Sequence, residues 1–132
     1  MYNILMPVDQ TEDRVMRQAE YVEGRPLPPS ETTVRVLYVF PREDAELSDT
    51  QGFETSEAAV KAADALETAG FEVQREVARG TISRQILEHA DDLDADEIVI
   101  GGRKRSGVSK VLLGSTASDI IHSTDLPVVI TG

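Results

Sequence analysis

Along this chain, short runs rich in β-branched residues alternate with stretches whose apolar residues recur at helical spacing, and that alternation constrains the fold most tightly. The pattern predicts strands over residues 2–8, 33–40, 71–78, 97–100 and 126–130. The runs at 4–8, 98–100 and 128–130 are apolar without a break, which leaves neither strand face for water. Strands of that kind, joined through helices, pair in parallel, because a helical crossover brings the chain back in the same direction. The expected architecture is therefore α/β, one open parallel sheet with helices on both faces.

The helices carry their own signals. Thr11, Glu12 and Asp13 form an N-cap-like start with two acids at the positive end of the helix dipole. Val15, Met16, Ala19 and Val22 follow, with Gly24 as a stop and Pro26, Pro28 and Pro29 building a loop. Residues 41–54 are polar, hold Pro41 and Gly52, and are expected to form a flexible loop. A second helix is expected over 55–69, where Ala58, Ala59, Ala62, Ala63, Leu66 and Ala69 share a face small enough to sit close to a sheet, and Gly70 is placed to cap it. Residues 71–78 alternate as an edge strand does. Gly80 and Thr81 turn the chain into a third helix with Ile82, Ile86, Leu87, Ala90 and Leu93 inward, and a fourth near 115–123 points Ala117, Ile120 and Ile121 inward. In open sheets of this type ligands bind beyond the carboxyl ends of the strands, at the point where the strand order reverses. That rule selects residues 7–9, 39–40, 79–81 and 101–105 for attention.

Composition excludes several chemistries. The 132 residues suit one domain, here 1–132, long enough to bury a core without staples. There is no cysteine, hence no disulfide framework, thiolate zinc site or cysteine nucleophile. The two histidines, His89 and His122, are expected at the surface of helices, and Asp91, Asp92, Asp94 and Asp96 as a solvated acidic face instead of a metal site. No Ser–His–Asp arrangement stands out. No apolar run approaches the roughly 20 residues that span a bilayer, and the N-terminus lacks a signal-peptide layout, so the chain reads as cytoplasmic. Thirteen basic against twenty-four acidic residues give a net charge of −11, which repels nucleic acid and anionic lipid. Only Lys61, Lys104 and Lys110 are lysines, and the acids are dispersed. Such a surface suits a cytoplasm with molar salt, where screening relieves self-repulsion, and favours a halophilic source over the alternative of an ordinary acidic cytosolic protein.

One segment departs from this acidic background. From Ile98 to Ser118 there is no acidic residue, while Arg103, Lys104, Arg105 and Lys110 fall inside it. The same window holds Gly101-Gly102, Gly107 and then Gly114-Ser115-Thr116 opening a helix. Glycines let a backbone approach a ligand closely, a helix N-terminus offers unpaired N–H groups, and hydroxyls add donors. Together they form the ingredients of a polyphosphate cradle, the alternative being a solvated basic loop with Gly114 as a turn. The pattern is neither a P-loop nor a dinucleotide fingerprint, since no Gly-Lys-Ser/Thr follows a first-strand glycine-rich turn and no GxGxxG opens the first helix.

These residues carry a resemblance. Ile4-Leu5-Met6-Pro7-Val8-Asp9, the strand from Val34 to Val39, Ile98-Val99-Ile100-Gly101-Gly102 with Leu113-Gly114-Ser115, and the closing Leu126-Pro127-Val128-Val129-Ile130 resemble the universal stress protein family over essentially the whole chain. The resemblance implies a Rossmann-like sheet in the order 3-2-1-4-5 with four helices, similar to adenine nucleotide alpha hydrolases. The family's ATP signature is glycine, two residues, glycine, nine residues, glycine, then serine or threonine; aligned on Gly114-Ser115 it begins at Gly101, and its second glycine is replaced by Lys104. Members that keep the signature bind nucleotide and members that lack it do not. A side chain at 104 either obstructs the phosphates or places an ammonium on them, and the neighbouring cations favour the second. Gln10-Thr11 stands where the family often has Gly-Ser.

By that resemblance, Pro7, Val8 and Asp9 line the adenine and ribose end, with the Asp9 carboxylate accepting a hydrogen bond. Val39 packs on the adenine, next to Ile100. Gly101, Arg103 and Lys104 flank the phosphates, and Gly114, Ser115 and Thr116 close on them. The expected function is a small stress-response regulatory module that binds ATP or a related adenine nucleotide, with Mg2+ as a companion of the phosphates. Two alternatives stand beside it: a dimeric interaction module that binds no nucleotide, and a slow ATPase, for which Asp9 is the nearest candidate carboxylate. A homodimer through the last strand is also expected, because an apolar edge with unpaired backbone groups needs a cover and no predicted helix remains to supply it.

Overall fold

The computed structural model describes residues 1–41, 52–104, 111–112 and 114–132. The strands are β1 (Tyr2–Val8), β2 (Thr32–Phe40), β3 (Glu72–Arg79), β4 (Glu97–Gly101), β5 (Arg103–Lys104), β6 (Val111–Leu112) and β7 (Val128–Thr131). The α-helices among the described residues are α1 (Glu12–Glu23), α2 (Glu57–Thr68), α3 (Ile82–Asp92) and α4 (Ser115–Ser123). Five strands form one parallel sheet in the order β3-β2-β1-β4-β7, which is the 3-2-1-4-5 order expected for its five members. β5 and β6 form a separate antiparallel ribbon, with Arg103 opposite Leu112 and Lys104 opposite Val111.

The sheet separates two apolar layers, and strand alternation assigns residues to each. Ile4, Met6, Val8, Val34, Val36, Tyr38, Phe40 and Val99 pack with Val15, Ala19 and Val22 of α1 and with Ala58, Ala59, Ala62, Ala63 and Leu66 of α2. Leu5, Leu37, Val39, Ile98 and Ile100 pack on the other side, with Ile86 and Ala90 of α3 and Ala117 and Ile120 of α4. Two helices thus cover each face.

The ends of the elements show what sets them. In α2, Ser56 is the N-cap and its hydroxyl accepts from the Ala59 N–H, so the helix starts two residues later than its apolar pattern suggests. Gly70 follows the helix with φ of +99°, and the Phe71 N–H reaches back to the Leu66 carbonyl. This is the left-handed stop that glycine makes cheap. Gly24, by contrast, caps α1 with φ of −80° and uses none of glycine's freedom. At the start of α1 the Thr11 hydroxyl caps nothing; instead the Asp9 carboxylate takes the Thr11 N–H at 2.8 Å.

Several expectations need correction. Ile121, expected inward on α4, is 38% exposed, because the helix buries the stripe of Ala117 and Ile120 only, and Ala69, expected on the buried face of α2, is exposed at the helix C-cap. Most of the loop expected over 41–54 lies outside the described residues, but its end does not. Phe53–Thr55 is a short 3-10 turn, and Phe53 is buried in the layer of α1 and α2. The last strand starts at Val128, not at 126, with the Pro127 carbonyl accepting from the Ile98 N–H. Asp96 is also more than part of a solvated face, because its carboxylate accepts from the Asn3 N–H at 2.7 Å. His89 and His122 each turn Nδ1 to a carbonyl one turn back in their own helix. No described helix is long and apolar enough to cross a membrane.

Candidate functional site

At the carboxyl ends of the strands, β1 and its two neighbours behave differently. β1 pairs with β2 from Tyr2↔Thr32 through Val8↔Tyr38, whereas its register with β4 is Ile4↔Glu97 and Leu5↔Ile98. Past those positions the β1–β4 seam is bridged by a side chain. Gln18 of α1, 1% exposed, donates its amide to the Pro7 carbonyl at 2.7 Å and to the Val99 carbonyl at 3.1 Å. β1 is the strand from which the chain order runs both ways, so this seam is the reversal point at which open sheets bind ligands.

A cavity of about 350 Å³ opens there, a size within the range of small-molecule sites. Its walls come from both layers: Arg14 and Gln18 from α1, Ile82 and Ile86 from α3, Thr116 and Ala117 from α4. The strand ends supply Pro7, Val8 and Asp9 of β1 and its following turn, Val39 of β2, and Ile100 and Gly101 of β4. Gly114 completes the set at the α4 N-cap. The residues singled out at these positions in the sequence are therefore brought together, although they are drawn from four separate segments. Ser115 is exposed and does not line the cavity. The side chains of Arg103 and Lys104, and residues Arg105, Gly107, Lys110 and Leu113, lie outside what the structure describes. The backbone of β5 nevertheless leaves β4 directly after Gly102, whose N–H is held by the Thr131 carbonyl at 2.6 Å.

One end of the cavity is polar. Asp9 sits just past β1 and is fixed from two sides: Oδ1 accepts the Thr11 N–H, and Oδ2 pairs with Arg14 Nη1. Its main-chain carbonyl is held by the Ser56 hydroxyl at 3.0 Å. The stem of Arg14 crosses the end of β4. A Cβ placed on Gly101 would lie 2.4 Å from Arg14 Cγ and 2.7 Å from Cδ, so the absence of a side chain at 101 gives Arg14 its path. Gln10 donates to the Tyr38 hydroxyl at 2.6 Å, and both also line the cavity. The opposite wall of Val39, Ile82, Ile86 and Ile100 is apolar. An apolar wall beside a carboxylate, with a helix N-terminus free of acidic residues in its first turn, has the chemistry to hold an apolar base, a hydroxylated ring and an anion.

Sequence reasoning missed Gln10, Arg14, Gln18, Tyr38, Ile82, Ile86 and Ala117 as cavity residues. Gln18 carried a usable signal, being an amide on the inner stripe of a helix three residues from Val15 and one from Ala19. Arg14, one turn before Gln18, shares that side of the helix.

The comparisons with known proteins follow the same lines. The model of the universal stress protein family matches residues 1–132. Universal stress protein G of Shigella flexneri is 32% identical over 144 residues, covering 96% of each chain. A universal stress protein structure from Archaeoglobus fulgidus superposes with a TM-score of 0.74 at 27% identity, covering 100% of this chain and 99% of that one. The structure of the universal stress protein from Archaeoglobus fulgidus in complex with dAMP superposes with a TM-score of 0.70 at 25% identity, over 100% and 98%. Matched from end to end in sequence, and sharing the sheet whose strand ends carry the cavity, the chain belongs to the universal stress protein family.

Proposed function

We propose that this protein is a small stress-response regulatory module that binds ATP, or a related adenine nucleotide, in the cavity at the β1–β4 seam. The observation that carries the proposal is the cavity itself, in which an apolar wall, a fixed carboxylate and the start of α4 converge at the reversal point of the sheet. Val39 and Ile100 would hold the base, with Pro7 and Val8 at its edge. Asp9 retains lone pairs after meeting Thr11 and Arg14, so it can accept from a ribose hydroxyl. Gly101, Gly114 and Thr116 would border the phosphates, with the Ser115 hydroxyl at the rim and Arg103 and Lys104 entering from β5. The dAMP complex of the Archaeoglobus fulgidus relative supports an adenine nucleotide as the ligand.

Asp9 is the only acidic residue among the described cavity residues, and Arg14 already pairs with it. Mg2+ accompanying ATP would therefore be held by phosphate oxygens and water, as this ion commonly is. Hydrolysis needs both a base and a metal-binding carboxylate, and a single carboxylate already engaged by Arg14 does not supply the two, so binding, not turnover, is the proposed activity. Titration calorimetry with ATP and AMP in molar KCl tests the proposal. ATP should bind more tightly, since the cationic segment 98–118 would meet the distal phosphates, and affinity should fall as salt rises. Equal affinities would remove the phosphate cradle.

The second reading, a dimeric module without nucleotide, draws on two features: Lys104 in the place of a signature glycine, and β7 at the edge of the sheet with Val128, Val129 and Ile130 half-buried. The proposed homodimer joins β7 to its own copy and is compatible with either reading.

A further inference from the structure

Arg14 is the only basic side chain among the described residues that line the cavity. Its direction is set by the fold, because the stem runs over Gly101 with no Cβ in the way. Its side chain is 25% exposed, and the guanidinium engages Asp9 through Nη1. A guanidinium carries five N–H donors. Among the described residues Arg14 spends them on this one carboxylate, and its Nε is buried without a partner. Nη2 therefore retains donors that no described protein acceptor takes, and the stem that carries it lies at the end of β4, within the acid-free stretch from Ile98 to Ser118. A carboxylate alone at this position would repel a phosphorylated ligand; paired with Arg14 it does not.

We infer that Arg14 is a specificity-determining residue that selects a phosphorylated ligand, a nucleoside 5′-phosphate over the free nucleoside, by donating to a phosphate oxygen while still bonded to Asp9. The inference rests on the proposed nucleotide site and adds to it a contact from α1, outside the glycine and basic segment. Arginine suits the role because its planar fork serves two acceptors at once, whereas an ammonium is a single point charge.

The test compares adenosine, AMP and ATP by titration calorimetry on wild type, Arg14→Met, Arg14→Lys and the double variant Arg14→Met with Asp9→Asn. The double variant removes the pair and so keeps the local net charge. Arg14→Met should weaken AMP and ATP by about 10–100-fold, the worth of one charge-assisted contact, while adenosine changes by less than about threefold. Arg14→Lys should recover part of the loss. In the double variant AMP should remain weak relative to adenosine. Equal losses for adenosine and AMP would overturn the inference, by reducing Arg14 to a support for Asp9. Recovery of AMP binding in the double variant would also overturn it, by reducing Arg14 to a neutralising charge. Failure of wild type to bind any of the three would refute the nucleotide site itself, whereas wild-type binding unaffected by Arg14→Met would refute this inference alone. Circular dichroism and a urea midpoint on each variant separate lost contacts from lost folding.

Discussion

Replacing Gln18 with leucine tests whether the β1–β4 seam is built as described. The two side chains are similar in size, and Gln18 is 1% exposed, so the change removes hydrogen bonding with little change in volume. Two strand carbonyls, those of Pro7 and Val99, lose the amide that now lies 2.7 and 3.1 Å away. Taking about 1–2 kcal/mol for each buried carbonyl left without its donor, the pair costs about 2–4 kcal/mol. Burying leucine instead of an amide returns about 1 kcal/mol. The net loss is then about 1–3 kcal/mol, equivalent to a fall in Tm of about 4–12 °C for a domain of this size. Urea denaturation followed by circular dichroism measures it, with an unchanged m-value showing that the denatured state is not what moved. Gln18→Glu adds a sign to the test. An ionised carboxylate facing two carbonyls is destabilised, so its folded pKa rises above the ordinary value of about 4.3. A group with a raised folded pKa gives stability that is present below the unfolded pKa and lost as pH rises through the folded one. Gln18→Glu should therefore be close to Gln18→Leu near pH 4 and clearly worse at pH 7. A Gln18→Leu protein within about 0.5 kcal/mol of wild type would refute the seam as drawn, because surface-like changes fall in that range.

How much of this was legible in the sequence depends on which physical signal each residue carries. The unbroken apolar runs at 4–8 and 98–100 are too short for helices and rich in β-branched residues, which marks them as strands buried on both faces, and they lie in β1 and β4. Boundaries were less legible where a cap decides them. Nothing in the alanine pattern of α2 says that Ser56 starts it, since the cap depends on the hydroxyl reaching Ala59. Phe53 was read as loop because its neighbours are polar, yet tertiary burial governs a lone aromatic more than its local context does. The glycines and the acid-free window identified one side of the cavity, because unusual composition is visible along the chain. Arg14 and Ile82 were not identified, because what places them there is the crossing of helices over the sheet, and a single sequence does not record that geometry.

Three further outcomes are expected. The double variant Arg103→Ala with Lys104→Ala should weaken ATP binding by about 2–4 kcal/mol in calorimetry, taking about 1–2 kcal/mol for each charge-assisted contact; no change would place both side chains in solvent. Val129→Asp puts a charge on the half-buried edge strand β7 and should shift the protein from dimer to monomer by light scattering in molar KCl, while a wild-type mass near 14.4 kDa at micromolar concentration would contradict the dimer. With a net charge of −11, the protein should gain thermal stability as KCl rises toward molar concentration, and full stability in low salt would count against a halophilic setting.

The central claim is that the cavity at the β1–β4 seam holds an adenine nucleotide. The most direct measurement is mass spectrometry of the small molecules released when protein purified in high salt is denatured, with the Arg103→Ala and Lys104→Ala double variant purified alongside. The account predicts an adenine nucleotide, ATP foremost, released from wild type in amounts approaching one per chain and reduced in the variant. Wild-type protein that releases no nucleotide, even after incubation with millimolar ATP and desalting at a rate that preserves micromolar complexes, would contradict it.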